Sequence, residues 1–217
     1  CIGCNQACLD QIFNRQTASC LVNPRACRET ELKYAPATHR KKIGVVGAGP
    51  AGLAFASIAA ERGHEVHLFE ASGEIGGQFN LAKQIPGKEE FYETLRYFRK
   101  QLDVHGVQLH LNTFASPELL RTQGFDEIIV ATGVSPRVLS IEGIQHPKVL
   151  SYLEVLRDKK PVGHSVAIIG AGGIGFDVAE YLVHQGESPS TNVGTFMQEW
   201  GVDMAYGNRG AITKPKP

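Results

Sequence analysis

Two glycine-rich turns and a group of cysteines supply the residues of this sequence that could do chemistry. The first turn, GAGPAG, is Gly47–Gly52, and the second, GAGGIG, is Gly170–Gly175. In a dinucleotide-binding fold the first glycine permits a tight turn and the second lets the backbone approach a pyrophosphate. The third glycine lets a helix pack close to a strand. The two turns therefore predict two nucleotide sites, or one such domain inserted into another.

The elements around the first turn are the ones that this chemistry requires. Apolar residues 43–46 precede it as a strand, Leu53–Arg62 follow as a helix, and Glu65–Glu70 form a second strand that ends on an acid. The helix N-terminus offers N–H groups and a positive dipole end to phosphates. The Glu70 carboxylate can accept hydrogen bonds from ribose hydroxyls and would repel the 2′-phosphate of NADP. We therefore expect FAD at this site.

The stretch beyond Glu70 supplies further candidate residues for the dinucleotide site at the first turn. The glycine-rich loop 71–79 could wrap over a bound dinucleotide, although it could equally be a surface turn. Residues 131–133 end an apolar strand and would bring small residues near the first glycine turn. The predicted elements here are a helix over 89–106, a strand over 107–112, a short helix over 117–122 and a strand over 127–132. In the first of these helices an apolar stripe of Phe91, Leu95, Phe98 and Leu102 falls on one face, which we expect to be core.

The second turn sits in a similar but less complete pattern. Val166–Gly170 reads as a strand, and a helix follows to about His184. Beyond Gly186 we find no β-rich segment that ends in an acid or an arginine at the expected distance. We therefore expect the partner strand to lie beyond residue 217.

All five cysteines lie within the first 27 residues, with the spacing C-x2-C-x3-C-x11-C over the first four. They are Cys1, Cys4, Cys8, Cys20 and Cys27. A disulfide framework, a structural zinc site and an iron–sulfur cluster are all compatible with such a group. The spacing differs from the bacterial ferredoxin run, so spacing alone does not decide among the three. Cys27 is most simply a buried, small, apolar residue.

Composition limits the remaining classes of function. The chain has 217 residues, 42% hydrophobic and 20% charged, with 22 basic and 22 acidic residues. This balance gives no support for binding nucleic acid or an anionic membrane. No apolar run approaches the roughly 20 residues of a membrane span. We expect a cytoplasmic location. Because the chain begins with Cys1 and ends in a polar, proline-bearing stretch, we also expect a fragment of a longer protein.

Several longer motifs resemble bacterial NADPH-dependent 2,4-dienoyl-CoA reductases, which belong to the trimethylamine dehydrogenase group. The resemblance covers nearly the whole chain, and the stretch from GES at 186–188 to EWG at 199–201 narrows it to these reductases. The motifs are CIGCNQACLDQIF at 1–13, VNPRAC at 22–27, GAGPAG at 47–52, GEIGGQFN at 73–80, KQIPGKEEFYETLRY at 83–97, HPKVLSYLEVLRDK at 146–159 and GAGGIGFDVAEYL at 170–182.

The resemblance implies an α/β chain with three parts. Residues 1–40 would be a cysteine-rich iron–sulfur loop segment with its linker, and 41–163 a Rossmann-like FAD-binding domain. Residues 164–217 would start an inserted Rossmann-like NAD(P)H-binding domain. In the family, electrons pass from NADPH to FAD, to a [4Fe–4S] cluster, and to FMN in an N-terminal TIM barrel. That barrel is absent here, so no catalytic residue is assigned, and we expect this chain to be inactive on dienoyl-CoA.

The resemblance also implies ligands residue by residue. For FAD they are Gly47, Ala48, Gly49, Ala51, Gly52, Glu70, Ala71, Gly77, Gln78, Thr132 and Gly133. For NADPH they are Gly170, Gly172, Gly173 and Gly175. For the cluster they are Cys1, Cys4, Cys8 and Cys20. The alternatives are another oxidoreductase of the same group, or a nucleotide-binding module without redox turnover. The clustered cysteines speak against the second alternative, since a pure binding module has no need of them.

Overall fold

The computed structural model describes residues 1–213, which divide into two compact units. The first unit comprises residues 1–80 and 90–140. The second comprises residues 81–89 and the chain from 141 onward. None of the helices in the described part of the chain has the length and apolar character that a membrane crossing needs.

A four-stranded parallel sheet forms the centre of the first unit. Its strands are β1 (Lys42–Val46), β2 (Glu65–Phe69), β3 (Gln108–His110) and β4 (Glu127–Val130), in the order β3-β2-β1-β4. Ile43 on β1 lies in register with Val66 of β2 and with Glu127 of β4. This arrangement confirms the predicted α/β, Rossmann-like fold.

Two long helices cover one face of this sheet. They are α2 (Pro50–Glu61) and α4 (Glu90–Val104), which pack against each other. The predicted apolar stripe of α4 is confirmed, because Leu95, Phe98 and Leu102 are all buried in the core. Those side chains meet Leu53 of α2 and the apolar residues of β1 and β2, so the core lies directly under the first glycine turn.

The shorter elements of the first unit have local causes. Helix α1 (Leu9–Phe13) lies among the cysteines, and α3 (Phe79–Ala82), whose last two residues belong to the second unit, ends the loop after β2. Helix α5 (Pro117–Thr122) has the predicted bounds, since Ser116 Oγ accepts a hydrogen bond from Leu119 N at 3.2 Å. A serine in this position satisfies an N–H group that the helix leaves free.

The second unit is helical and has its own small core. Its helices are α6 (Tyr152–Leu156), α7 (Gly173–Val183) and α8 (Val193–Glu199), with 3-10 turns at Pro189–Thr191 and Arg209–Ala211. The buried residues of this core are Ile85, Val155, Leu156 and Val178. An ion pair from Lys88 to Asp177, 2.6 Å between Nζ and Oδ2, ties segment 81–89 to α7.

The strand predicted at Val166–Gly170 is wrong. These residues form no strand, and Val166, Ile168 and Ile169 are 48%, 40% and 70% exposed. A strand needs a neighbour that satisfies its N–H and C=O groups. Within residues 1–213 no strand pairs with this segment. The apolar run therefore has the composition of a buried strand but does not pair with a sheet formed by the described residues.

Candidate functional site

The first glycine turn joins β1 to α2 at the carboxyl end of the sheet, and each of its glycines meets a different surrounding. Gly47 has φ +103°, and its N–H donates to the carbonyl of Phe69 at 2.8 Å. A Cβ on Gly47 would collide with the carbonyl of Ala131, and one on Gly52 would collide with the carbonyl of Gly47. A Cβ on Gly49 would meet nothing within 4 Å. Gly49 therefore faces open space, while the other two hold strand and helix together.

Helix α2 presents its N-terminus to this open space. Gly49 is its N-cap in an extended conformation, and no side chain caps the first turn. Pro50 occupies the first helical position, which suits a residue without an N–H group. The remaining N–H groups of that turn and the positive dipole end are therefore left for an anion.

Glu70 lies beside the turn with both carboxylate oxygens fixed. Oε2 accepts from Ala48 N at 2.9 Å, and Oε1 accepts from Ser72 N at 2.9 Å. Each carboxylate oxygen has a second lone pair, so the group can still accept hydrogen bonds from a ribose diol. The sequence predicted Glu70 at this site but not Ser72. Ser72 contributes only its backbone N–H, which any residue except proline would supply, so its residue type gives no indication of the contact.

The loop after β2 folds back onto the glycine turn. The N–H of Gly76 donates to the carbonyl of Ala48 at 2.8 Å, and a Cβ on Gly77 would lie 3.2 Å from Gly49 Cα. Asn80 holds the loop through a 3.0 Å hydrogen bond from Nδ2 to the carbonyl of Ile75. The sequence analysis did not predict a role for Gly76 or Asn80, although a Gly-Gly pair indicates a tight turn.

The remaining residues expected at this site lie around the same turn or follow it along the chain. Ala131 N donates to the carbonyl of Val46 at 2.8 Å, so the chain after β4 continues beside the end of β1. A Cβ on Gly47 would lie 3.2 Å from Thr132 Cα, and Gly133 follows with φ +76°. Ala71 and Gln78 are exposed residues of the loop after β2.

The second glycine turn repeats the local geometry of the first. Gly170 has φ +113°, and a Cβ on Gly175 would collide with the carbonyl of Gly170. Cβ atoms on Gly172 and Gly173 would meet nothing within 4 Å. Gly172 is the N-cap of α7, and no side chain caps that helix either. The turn therefore leaves open space beside its backbone at a second helix N-terminus without a side-chain cap.

The cysteines of residues 1–27 are all free thiols. A hydrogen bond from Ser19 N to the carbonyl of Ala7, at 2.9 Å, returns the chain before Cys20 to the neighbourhood of Cys8. Across residues 1–213, however, no three His, Cys, Asp or Glu side chains are gathered closely enough to hold a metal ion. The donor chemistry suits a four-thiolate site, and the cluster stays a prediction.

The expectation that Cys27 is a buried residue is wrong. It is exposed, and its backbone has φ +60°. Its N–H donates to Glu29 Oε1 at 3.2 Å. The turn over Pro24–Cys27 thus directs the side chain outward, which composition alone does not reveal.

Comparison with known proteins gives several reductases as relatives. The chain is 38% identical over 190 residues to a metal reductase of Desulforamulus reducens, covering 86% of this chain and 28% of the relative. It is 39% identical over 192 residues to a cinnamate reductase of Clostridium sporogenes, again covering 86% and 28%. The chain thus spans 28% of the length of these relatives.

A solved structure of 2-naphthoyl-CoA reductase bound to 2-naphthoyl-CoA has the same architecture. It matches with a TM-score of 0.80 and 38% identity, over 84% of this chain and 28% of that one. The model of one family, described as pyridine nucleotide-disulphide oxidoreductase, matches residues 41–194, which include both glycine turns. On the strength of that match, this chain belongs to the pyridine nucleotide-disulphide oxidoreductase family.

Proposed function

We propose that this chain is the electron-transfer part of a larger iron–sulfur flavoenzyme, with FAD at the first glycine turn and NADPH at the second. Membership of the family implies binding of FAD and NAD(P). The observation that favours FAD over NADP at the first turn is the Glu70 carboxylate, held 2.9 Å from Ala48 N at the end of β2. A negative charge there favours a ribose with free hydroxyls and opposes one that carries a 2′-phosphate.

The residues of the first site would bind and orient the flavin. FAD, when bound, supplies the redox chemistry itself. The open side of Gly49 and the uncapped start of α2 would receive the pyrophosphate. Glu70 would hold the adenosine ribose, and the loop that contains Gly76 and Gly77 would cover the turn. No side chain here has to donate or accept a proton for this task.

The second turn would hold the pyrophosphate of the reductant. Its support is the repeated geometry, in which Gly172 and Gly173 leave open space before α7. The choice of NADPH as the donor rests on the resemblance to the dienoyl-CoA reductases. Gly170 and Gly175 would keep the turn tight and the helix close to it, as Gly47 and Gly52 do in the first.

Cys1, Cys4, Cys8 and Cys20 would hold a [4Fe–4S] cluster, which supplies one-electron transfer. Their free thiols and the Ala7–Ser19 hydrogen bond support this part of the proposal. FMN and the substrate would then belong to a TIM barrel elsewhere in the protein. The acceptor would be a 2,4-dienoyl-CoA, since cinnamate reductase and 2-naphthoyl-CoA reductase are both named for compounds with a conjugated π system beside a carboxyl or thioester group.

Cofactor analysis of the purified protein tests the proposal. We expect a yellow-brown protein that releases FAD on denaturation, contains iron and acid-labile sulfide, and loses flavin absorbance when NADPH is added without oxygen. Glu70→Ala is the matched variant and should retain less FAD while its iron content stays the same. A protein that stays colourless after reconstitution with FAD, iron and sulfide would refute the redox function and favour a binding module.

A further inference from the structure

Two histidines meet on the sheet of the first unit. His67 of β2 and His110 of β3 lie with Nδ1 and Nε2, respectively, 3.1 Å apart. Their rings are 7° from parallel with centroids 5.4 Å apart, so the contact lies close to the ring planes. His67 is 8% exposed. Because strand residues alternate, it points away from the face on which Val66 and Leu68 meet the helices.

Aromatic rings fix the two imidazoles in place. Phe69 stacks on His110 with centroids 4.7 Å apart, and Phe125 meets His67 edge-on at 5.3 Å. Phe125 in turn packs against Gly44 of β1, where even one Cβ would approach its ring to 2.9 Å. The imidazoles therefore have little room to turn away from each other.

Charged side chains of the described residues lie close to the pair on β2 and at the start of β1. Glu65 Oε1 lies 3.2 Å from His67 Nε2, and Glu65 Oε2 lies 3.6 Å from an Arg40 nitrogen. On the side of β1, Lys42 Nζ lies 5.2 Å from the centroid of the Phe125 ring. Glu65 is thus the carboxylate that residues 1–213 place against the pair, and it also lies beside Arg40.

The contact accepts one added proton but not two. With both rings neutral, His67 donates from Nε2 to Glu65 and accepts at Nδ1 from His110 Nε2. After one protonation, one N–H still faces one bare ring nitrogen across the contact. A second proton places an N–H on each side of the 3.1 Å gap, where hydrogens and positive charges oppose each other. The contact must then open.

The pair is connected to Glu70 through the backbone. Phe69 and His110 are the last paired residues of β2 and β3. The next hydrogen bond along the ladder runs from Glu70 N to the carbonyl of His110, at 2.9 Å. Thr113 N also donates to the carbonyl of Glu70 at 2.9 Å. If β3 moves away from β2, the backbone of Glu70 loses these two hydrogen bonds, and only the contacts of its carboxylate with Ala48 N and Ser72 N remain.

We propose that His67 and His110 are positioning residues that make flavin retention at the first glycine turn sensitive to acid. Double protonation separates β3 from β2 and displaces the Glu70 carboxylate. This inference rests on the proposed FAD site. Burial and the nearby His67 lower the pKa of His110, which agrees with a second proton that the folded state resists.

The sign of the effect follows from linkage. A histidine with a lowered pKa in the folded state contributes its full stability above the ordinary value of about 6.5. That contribution declines as the pH falls from there toward the pKa of the folded state, because the opened state takes up the proton first. Stability should therefore decrease as the pH falls below about 6.5, and flavin retention should decrease below the lowered pKa of His110, where the folded protein takes up the second proton.

Flavin titrations at several pH values test this for the wild-type protein, His110→Phe and His39→Gln. Phenylalanine keeps the stacking but cannot titrate, and His39 is an exposed histidine outside the pair. Below the lowered pKa of His110 the Kd for FAD should rise by about three- to tenfold per pH unit in the wild type and in His39→Gln, the upper limit being one proton per site. In His110→Phe it should stay within about twofold.

The outcomes separate the two proposals. Tight FAD binding with parallel pH profiles in all three proteins overturns the role of the pair and leaves the FAD site intact. Failure to bind FAD at any pH overturns both. If His110→Phe does not fold, histidine NMR resonances of the wild type decide. Two coupled steps, the second below the ordinary range, support the pair, and two independent titrations near the ordinary histidine pKa overturn it.

Discussion

Substitutions at Gly49 and Gly52 should have opposite effects, because the two glycines meet different surroundings. A Cβ on Gly52 would collide with the carbonyl of Gly47, which is backbone and cannot turn aside. A Cβ on Gly49 would meet nothing within 4 Å, and its φ of −75° is open to any residue. We therefore expect Gly52→Ala to damage the fold and Gly49→Ser to damage the site.

The size of each effect follows from the contact. Overpacking by one methyl group costs about 1–3 kcal/mol, and in a chain of this size each kcal/mol lowers the Tm by about 2–4 °C. Gly52→Ala should therefore lower the Tm of the flavin-free protein by about 2–12 °C. Serine is a favoured N-cap, so Gly49→Ser should leave that Tm within about 2 °C of the wild type.

Flavin affinity should be affected in the reverse order, with the loss in Gly49→Ser rather than in Gly52→Ala. In Gly49→Ser the new side chain occupies the space above the turn, and its hydroxyl can take the N–H groups that a phosphate would use. The loss of one charge-assisted hydrogen bond, about 1.5–3 kcal/mol, raises the Kd for FAD at least tenfold. Thermal unfolding without flavin and a fluorescence titration with FAD measure the two quantities. Wild-type affinity in Gly49→Ser would refute the placement of the pyrophosphate, and an unchanged Tm in Gly52→Ala would refute the close contact.

Three further predictions concern other parts of the chain. Glu70→Ala should weaken FAD binding by about 1.5–3 kcal/mol for each ribose hydrogen bond lost, and an unchanged Kd would remove Glu70 from the site. Cys8→Ser should abolish iron incorporation on reconstitution, whereas Cys27→Ser should leave it unchanged; equal iron in both would contradict the ligand set. Ser151→Ala removes the side chain that accepts from Glu154 N at 3.3 Å in the capping box of α6. It should lower the free energy of unfolding by about 0.5–2 kcal/mol in denaturant titrations, and an unaltered midpoint would deny that the cap contributes.

The elements around the first turn could be predicted because their signals are local. The strand, the turn and the acid follow from glycine spacing and apolar runs within about 30 residues of chain. The helix begins at Pro50 rather than at Leu53, since proline suits the first position of a helix. The stripe of α4 was equally visible, because its period is that of one helical face.

The remaining features depend on pairing between distant residues, which composition does not reveal. The contact between His67 and His110 requires the register of β2 and β3. The closure of the loop after β2 depends on a backbone hydrogen bond from Gly76 to Ala48. The strand predicted at 166–170 was wrong for a related reason. Its residues suit a strand, but a strand also needs a neighbouring strand to pair with.

The two glycine turns together show which part of a dinucleotide site is local. A Cβ on Gly175 would collide with the carbonyl of Gly170, just as one on Gly52 would collide with that of Gly47, although only the second turn lacks a preceding strand. The backbone opening that would hold a phosphate is therefore a property of the turn and its helix. The proposed choice of ribose is not, because Glu70 reaches the first turn only through the pairing of β1 with β2. Among residues 1–213 no strand brings an acid to the second turn, so the proposed discrimination by a carboxylate is confined to the first turn.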